Sequence, residues 1–166
     1  MNTKITWAAA GVLTALMLVG TTGLLRAQDR GDGTAGAQAQ AIEGVWEAVA
    51  TIRDCNVPEI EFFSFSSMDS YIRGGSYIGE NAGEPAVRAT GMGKWRHERG
   101  RDYTATYQFF TFDPGGKWTG RLVVSARIRL SVDGLSFRSS DTAVLTDLDG
   151  TVIDEICGTR QAVRFQ

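Results

Sequence analysis

One histidine, two cysteines and 19 acids are the first residues to weigh for chemistry in this chain. His97 is the sole histidine, so a paired-histidine zinc motif and a two-histidine proton shuttle are both excluded. It alternates with Trp95, which aims it at the face that carries the apolar side chains. A histidine there either completes a hydrogen bond in the core or serves as ligand contact or general base. Asp141 carries the same ambiguity, since counting by twos from Phe137 through Ser139 turns it inward with Ala143 and Leu145. A buried carboxylate needs a partner, and His97, Tyr103, Tyr107 or an inward arginine can supply one. The chain has neither a Gly-x-Ser-x-Gly elbow nor a Gly-rich phosphate loop, and no motif implies a metal or cofactor.

Cys55 and Cys157 stand 102 positions apart, too far for a close-spaced redox pair or a zinc knuckle. In an oxidising compartment they are expected to form a disulfide. Closing a loop of that length is worth up to about 4.7 kcal/mol in the chain-entropy model. One cysteine ends the first expected strand and the other lies in the last, so the bond would bring first and last strands together, as closing a barrel does. Two separate buried thiols are the alternative.

The run Val144 to Val152, with Asp147 and Asp149 before Gly150-Thr151, resembles the phosphatase motif of the haloacid dehalogenase superfamily, which would make the first Asp a nucleophile and the second a general acid. That chemistry needs a doubly wound parallel sheet, and only 15 residues follow Thr151. The stretch therefore reads as hairpin-turn chemistry. It fails as a calcium loop too, because the first ligand position falls on Leu145 and the closing acid position on Ile156.

The elements that must position these residues begin after an export signal. Lys4 is followed by an apolar run from Ile5 to Gly20, interrupted only by Thr6 and Thr14, and then by a small, polar stretch. Residues 1–27 read as a secretory signal peptide cleaved after Ala27, a retained membrane anchor being the alternative. Residues 28–41 lack large apolar side chains and read as a flexible leader. Residues 42–166 remain as one domain, long enough to bury roughly 68% of the surface of its unfolded chain. The signal holds two of the 17 basic residues and no acids, which leaves an acidic exported chain; nucleic acid is excluded as a partner, and so is the membrane once the signal is removed. The expected location is periplasmic or secreted.

Along the domain the hydrophobic period is two. Gly44 to Arg53 alternates; Ile60 to Phe65 and Tyr71 to Ile78 are short, the second interrupted by Gly74-Gly75. Gly91 to Glu98 and Asp102 to Phe112 form a hairpin around Gly100. The Asp113-Pro114-Gly115-Gly116 turn leads into a long alternating strand through Leu130. Asp133-Gly134 turns into Leu135 to Thr146, and Asp149-Gly150 into Thr151 to Cys157 and Thr159 to Phe165, divided by Gly158. Gly79 to Ala89 reads as a loop or lid. Eight or nine short strands with no amphipathic helix predict an all-β, single antiparallel up-and-down barrel, with a β-sandwich as alternative.

Counting by twos places Trp95, Tyr103, Tyr107 and Phe109 on one inward face together with Trp118 and Phe137. Small residues (Gly93, Ala105, Gly120, Ala126, Ser139) share that face, which is the composition of an interior able to hold a small, largely apolar molecule, with His97 and Asp141 as orienting groups. The same composition also suits a packed core.

Gly44-Val45-Trp46 resembles the Gly-x-Trp start of the calycin superfamily, the lipocalins and their relatives, over Ile42 to Gln166. The resemblance implies a barrel whose Trp plugs one end beneath a basic residue of the last strand, here Arg160 or Arg164. The domain is also similar to uncharacterised exported bacterial proteins that share a Gly-Val-Trp-Glu start and a Trp-Arg-His followed by aromatic repeats. Small barrels resembling allene oxide cyclases imply a cyclase or isomerase, and exported enzyme inhibitors imply a loop-bearing scaffold. An open apolar cavity favours the ligand binder, a cavity floored by His97 or Asp141 the enzyme, and a packed core with a protruding loop the inhibitor.

Overall fold

In the computed structural model, residues 42–82 and 88–166 are described; the signal and leader segments, and 83–87 of the expected lid, lie outside them. Among the described residues the named elements are eight strands: β1 (Gly44–Arg53), β2 (Glu61–Ile72), β3 (Ser76–Asn81), β4 (Gly91–Arg99), β5 (Asp102–Phe112), β6 (Trp118–Leu130), β7 (Ser136–Thr146) and β8 (Val152–Arg164). Each pairs antiparallel with the next, and β8 returns to β1, so the sheet closes into an up-and-down barrel. Closure rules out the sandwich, because a ring of paired strands leaves no second sheet to stack.

Four boundaries differ from the sequence reading. Gly74-Gly75 is a turn and not a break within one strand: both residues have positive φ, 89° and 94°, and the chain reverses there from β2 into β3. The stretch between Phe65 and Tyr71 is strand throughout, and β3 runs on through Gly79 to Asn81, where a loop was expected. Gly158, conversely, interrupts nothing. It lies within a continuous β8 where strands approach closely, and a Cβ there would stand 2.9 Å from the Thr51 carbonyl oxygen.

Alternation decides which side chains enter the lumen. At the end where β1 starts and β8 finishes, Trp46 is fully buried, with Phe137 edge-on at 5.1 Å and Tyr71 at 5.8 Å from Phe137. The Trp46 indole Nε1 donates to the Ile42 carbonyl at 2.9 Å. Arg164 lies over the ring at 4.3 Å from its centroid and donates through Nη1 to the Glu43 carbonyl at 2.8 Å. Arg164, and not Arg160, is therefore the basic residue that covers this tryptophan. Trp95, Tyr103, Ile128 and Leu130 are buried in the same half of the barrel. That end is plugged by aromatic packing, where each favourable ring pair adds about 0.5–1.5 kcal/mol beyond its buried area.

The other end is rimmed by the β1–β2 connection, the Asp113–Gly116 turn and the Asp147–Gly150 turn. Asp113 and Asp147 each accept backbone N–H groups of their own turns through Oδ1, the Asx chemistry that Asp-rich turns supply. Cys55 and Cys157 are joined by a disulfide at this rim, with Cα atoms 5.1 Å apart, inside the geometric range for such a bond. Cys157 pairs with Arg53 in the β1–β8 ladder, so the bond reinforces the seam at which the barrel closes.

Candidate functional site

Midway along the lumen the aromatic packing gives way to a charged layer. Arg160 of β8 donates from Nη1 to Asp69 Oδ2 at 2.7 Å and to the Tyr77 hydroxyl at 3.2 Å. The Tyr77 hydroxyl donates to Asp69 Oδ1 at 2.7 Å, so both carboxylate oxygens of Asp69 are occupied. Arg160 Nη2 donates to the Tyr107 hydroxyl and stands 3.3 Å from Asp141 Oδ2. Asp69, Tyr77 and Tyr107 are almost wholly buried, and Arg160 nearly so. Ion pairs in such surroundings repay their desolvation only when the remaining donors and acceptors are satisfied. Here the layer is incomplete: Arg160 Nε and the buried Ser67 hydroxyl have no partner, and Asp141 has only the neighbouring Ser139 hydroxyl besides Arg160.

The local sequence makes this layer possible. Ala48 and Ala50 occupy the inward positions of β1 between β8 and β2, and their small side chains leave the guanidinium room to reach Asp69. Gly79 serves Tyr77 in the same way, because any Cβ there would collide with the Tyr77 hydroxyl. Tyr77 and Tyr107 stack at 4.3 Å between centroids.

Burial raises the Asp141 carboxyl above its ordinary value of 3.8; Arg160 and the nearby Ser139 hydroxyl oppose the shift, and Asp69 adds to it. Burial likewise holds the phenols of Tyr71, Tyr77 and Tyr107 above the usual tyrosine range, so all three remain protonated donors. For Arg160 burial opposes the charge, yet Tyr107, Asp69, Tyr77 and Asp141 together outweigh it and keep the guanidinium firmly cationic. The layer thus holds one cation and two carboxyls, one of which is short of hydrogen-bond donors.

Above it the barrel opens into a pocket of about 530 Å³ that reaches the disulfide-bearing rim. Arg160, Asp141 and Tyr107 contribute to its lining, as do Phe65, Phe109, Leu122, Val124, Ala143 and Ile156. Arg88, beside the mouth, lies 5.6 Å from the Phe65 ring centroid, and burial lowers its pKa from the ordinary arginine value. Apolar walls over a few convergent polar groups are the usual make-up of a small-molecule site. A buried carboxyl beside a cation can also hold or pass a proton.

Of the residues singled out from the sequence, Tyr107, Phe109 and Asp141 meet in this pocket. Trp95, Tyr103 and Phe137 are buried in the plugged end. His97 is there as well, donating through Nε2 to the Gly100 carbonyl at 2.9 Å and lying 5.0 Å from the Tyr103 ring, so it does not meet Asp141. Trp118 is not an inward wall: at the start of β6, beside a register shift in its ladder with β5, it is 41% exposed and packs edge-on against Phe110 outside. The bulge is the physical reason, since counting by twos fails wherever one strand gains a residue.

Asp141's partner is the inward arginine, Arg160. Parity with Ala162 turns Arg160 inward, a signal hidden when Gly158 is read as the end of a strand. Asp69 lies in the Ser-Ser-Met-Asp-Ser stretch between two expected strands, where alternation gave it no face.

No protein-family model matches the sequence, and no curated protein does. Among solved structures the chain is similar to Rv2717c from M. tuberculosis, at 10% identity and a TM-score of 0.37 over 76% of this chain and 94% of that one. At that level the likeness carries no function across.

Proposed function

We propose that the open end of the barrel binds a small, largely apolar molecule, and that the protein does so outside the cytoplasm. One observation carries the binding reading: a pocket of about 530 Å³ with apolar walls over a polar floor of Arg160, Asp141 and Tyr107, a size that suits one small ligand in an eight-stranded barrel. The N-terminal signal pattern and the Cys55–Cys157 bond support export. The Gly44-Val45-Trp46 start, with Arg164 over the Trp46 ring, supports a calycin-like relationship.

The test is native mass spectrometry of protein taken directly from its host, with extraction of whatever accompanies it. An adduct that is absent from Ala143→Trp, which fills the pocket from its wall, supports the reading. An adduct that survives this substitution, or none at all, counts against it.

A second reading has one observation in its favour. Asp141 in the lining of the pocket, with a carboxyl that burial raises above its ordinary value, has the attributes of a general acid or base, which suits a cyclase or isomerase. Under it Asp141→Asn keeps affinity and loses turnover of the extracted molecule.

A further inference from the structure

Within that binding reading, the charge balance of the floor specifies the ligand's head group. The Arg160 guanidinium is committed: both Nη atoms already serve Asp69, Tyr77, Tyr107 and Asp141, and only Nε is unpartnered. At the floor a carboxylate head would meet the Asp141 carboxyl, whose like charge repels it; the lining cation Arg88 stands away at the mouth, over the Phe65 ring. Asp141, by contrast, lines the pocket with its side chain 11% exposed, and has only Arg160, at 3.3 Å, and the neighbouring Ser139 hydroxyl as donors. Asp69 gives both oxygens to Arg160 and Tyr77, and Asp141 shares the same guanidinium, so two carboxylates face the layer's one cation. Further acids, Asp54, Asp154 and Glu155, line the pocket toward the rim, whereas Arg53 there is paired with Glu61 at 2.7 Å.

We infer that the pocket takes an amphipathic amine, its protonated nitrogen donating to the Asp141 carboxyl and its apolar body lying between Phe65, Phe109 and Leu122. The ammonium balances the second carboxylate of a layer that holds one cation and gives Asp141 a further donor. The apolar body gives most of the affinity, and the head group sets orientation and selectivity.

Three probes with one body and different heads test this: 4-phenylbutylamine, 4-phenylbutanol and 4-phenylbutyrate, titrated into the full exported protein by calorimetry at neutral pH. The expected result is an amine at least tenfold tighter than the alcohol and a butyrate weaker than both. Asp141→Asn should bring amine and alcohol to within about twofold. If alcohol binds as tightly as amine, or butyrate binds best, the head-group inference is overturned while the pocket reading stands. If none of the three binds, both fall. The comparison of heads needs only the unmodified protein, so it decides the matter even where the variant folds poorly.

Discussion

Arg160 and Asp69, 91 residues apart in sequence, meet at 2.7 Å inside the barrel from the two strands that flank β1. The contact spans the closing seam, because β8 and β2 reach each other only over the small side chains of Ala48 and Ala50. It marks the level at which the interior changes from packed aromatic plug to open pocket.

Removing one partner of such a pair leaves the other charged in a dry site. Arg160→Met should cost about 3–5 kcal/mol, and the double variant Asp69→Asn/Arg160→Met should recover part of that loss. Urea unfolding of the three proteins checks it; equal stability of the single and double variants would show that the pair's charges are uncoupled.

The disulfide should contribute about 2–5 kcal/mol without being required for the fold. Cys55→Ala/Cys157→Ala is expected to keep the far-ultraviolet dichroism of a β protein and to unfold at lower denaturant concentration. Thiol titration of exported protein purified without reductant should find no free thiol.

Asp141 makes stability depend on pH in a definite direction. Its folded pKa lies above its ordinary value of 3.8, so the folded chain holds this proton more tightly than the unfolded one. The resulting stabilisation is present below that ordinary value and is lost as pH rises through the folded pKa. Relative to Asp141→Asn, the unmodified protein should therefore lose stability across that window and change little above it, as a series of urea midpoints from acid to neutral pH will show.

His97→Ala should leave pocket affinity unchanged, because the ring lies at the plugged end, and should cost about 0.5–1.5 kcal/mol through its bond to Gly100. A change in the binding of any pocket probe larger than twofold would contradict this placement.

Much of the barrel was legible because alternation in β5, β6 and β7 is clean and Asp-Gly turns separate the later strands. Gly was the ambiguous letter. Gly74-Gly75 reverses the chain and Gly158 lies inside a strand, yet both read alike until the neighbouring backbone is known. The site was harder to read, since it depends on which inward residues share a level along the barrel axis. Parity assigns His97 and Asp141 to one face, but level separates them, and level is set by register across the strands. Arg160 and Asp69 meet through that same register.

The β1–β8 ladder is the one pairing in the barrel between strands distant in the sequence, and the remaining seven join consecutive strands. Assembly can therefore proceed as a row of hairpins, each closing a short loop, until a nearly complete sheet still has two free edges. Those edges, Gly44–Arg53 and Val152–Arg164, carry unpaired backbone groups that another chain can extend. A Cys55–Cys157 bond in that open sheet holds the edges near each other, so under oxidising conditions joining within the chain outcompetes joining between chains. The staple at the rim should thus limit aggregation during folding in an oxidising compartment as well as unfolding afterwards, and reduced chains should form oligomers whose abundance rises with concentration.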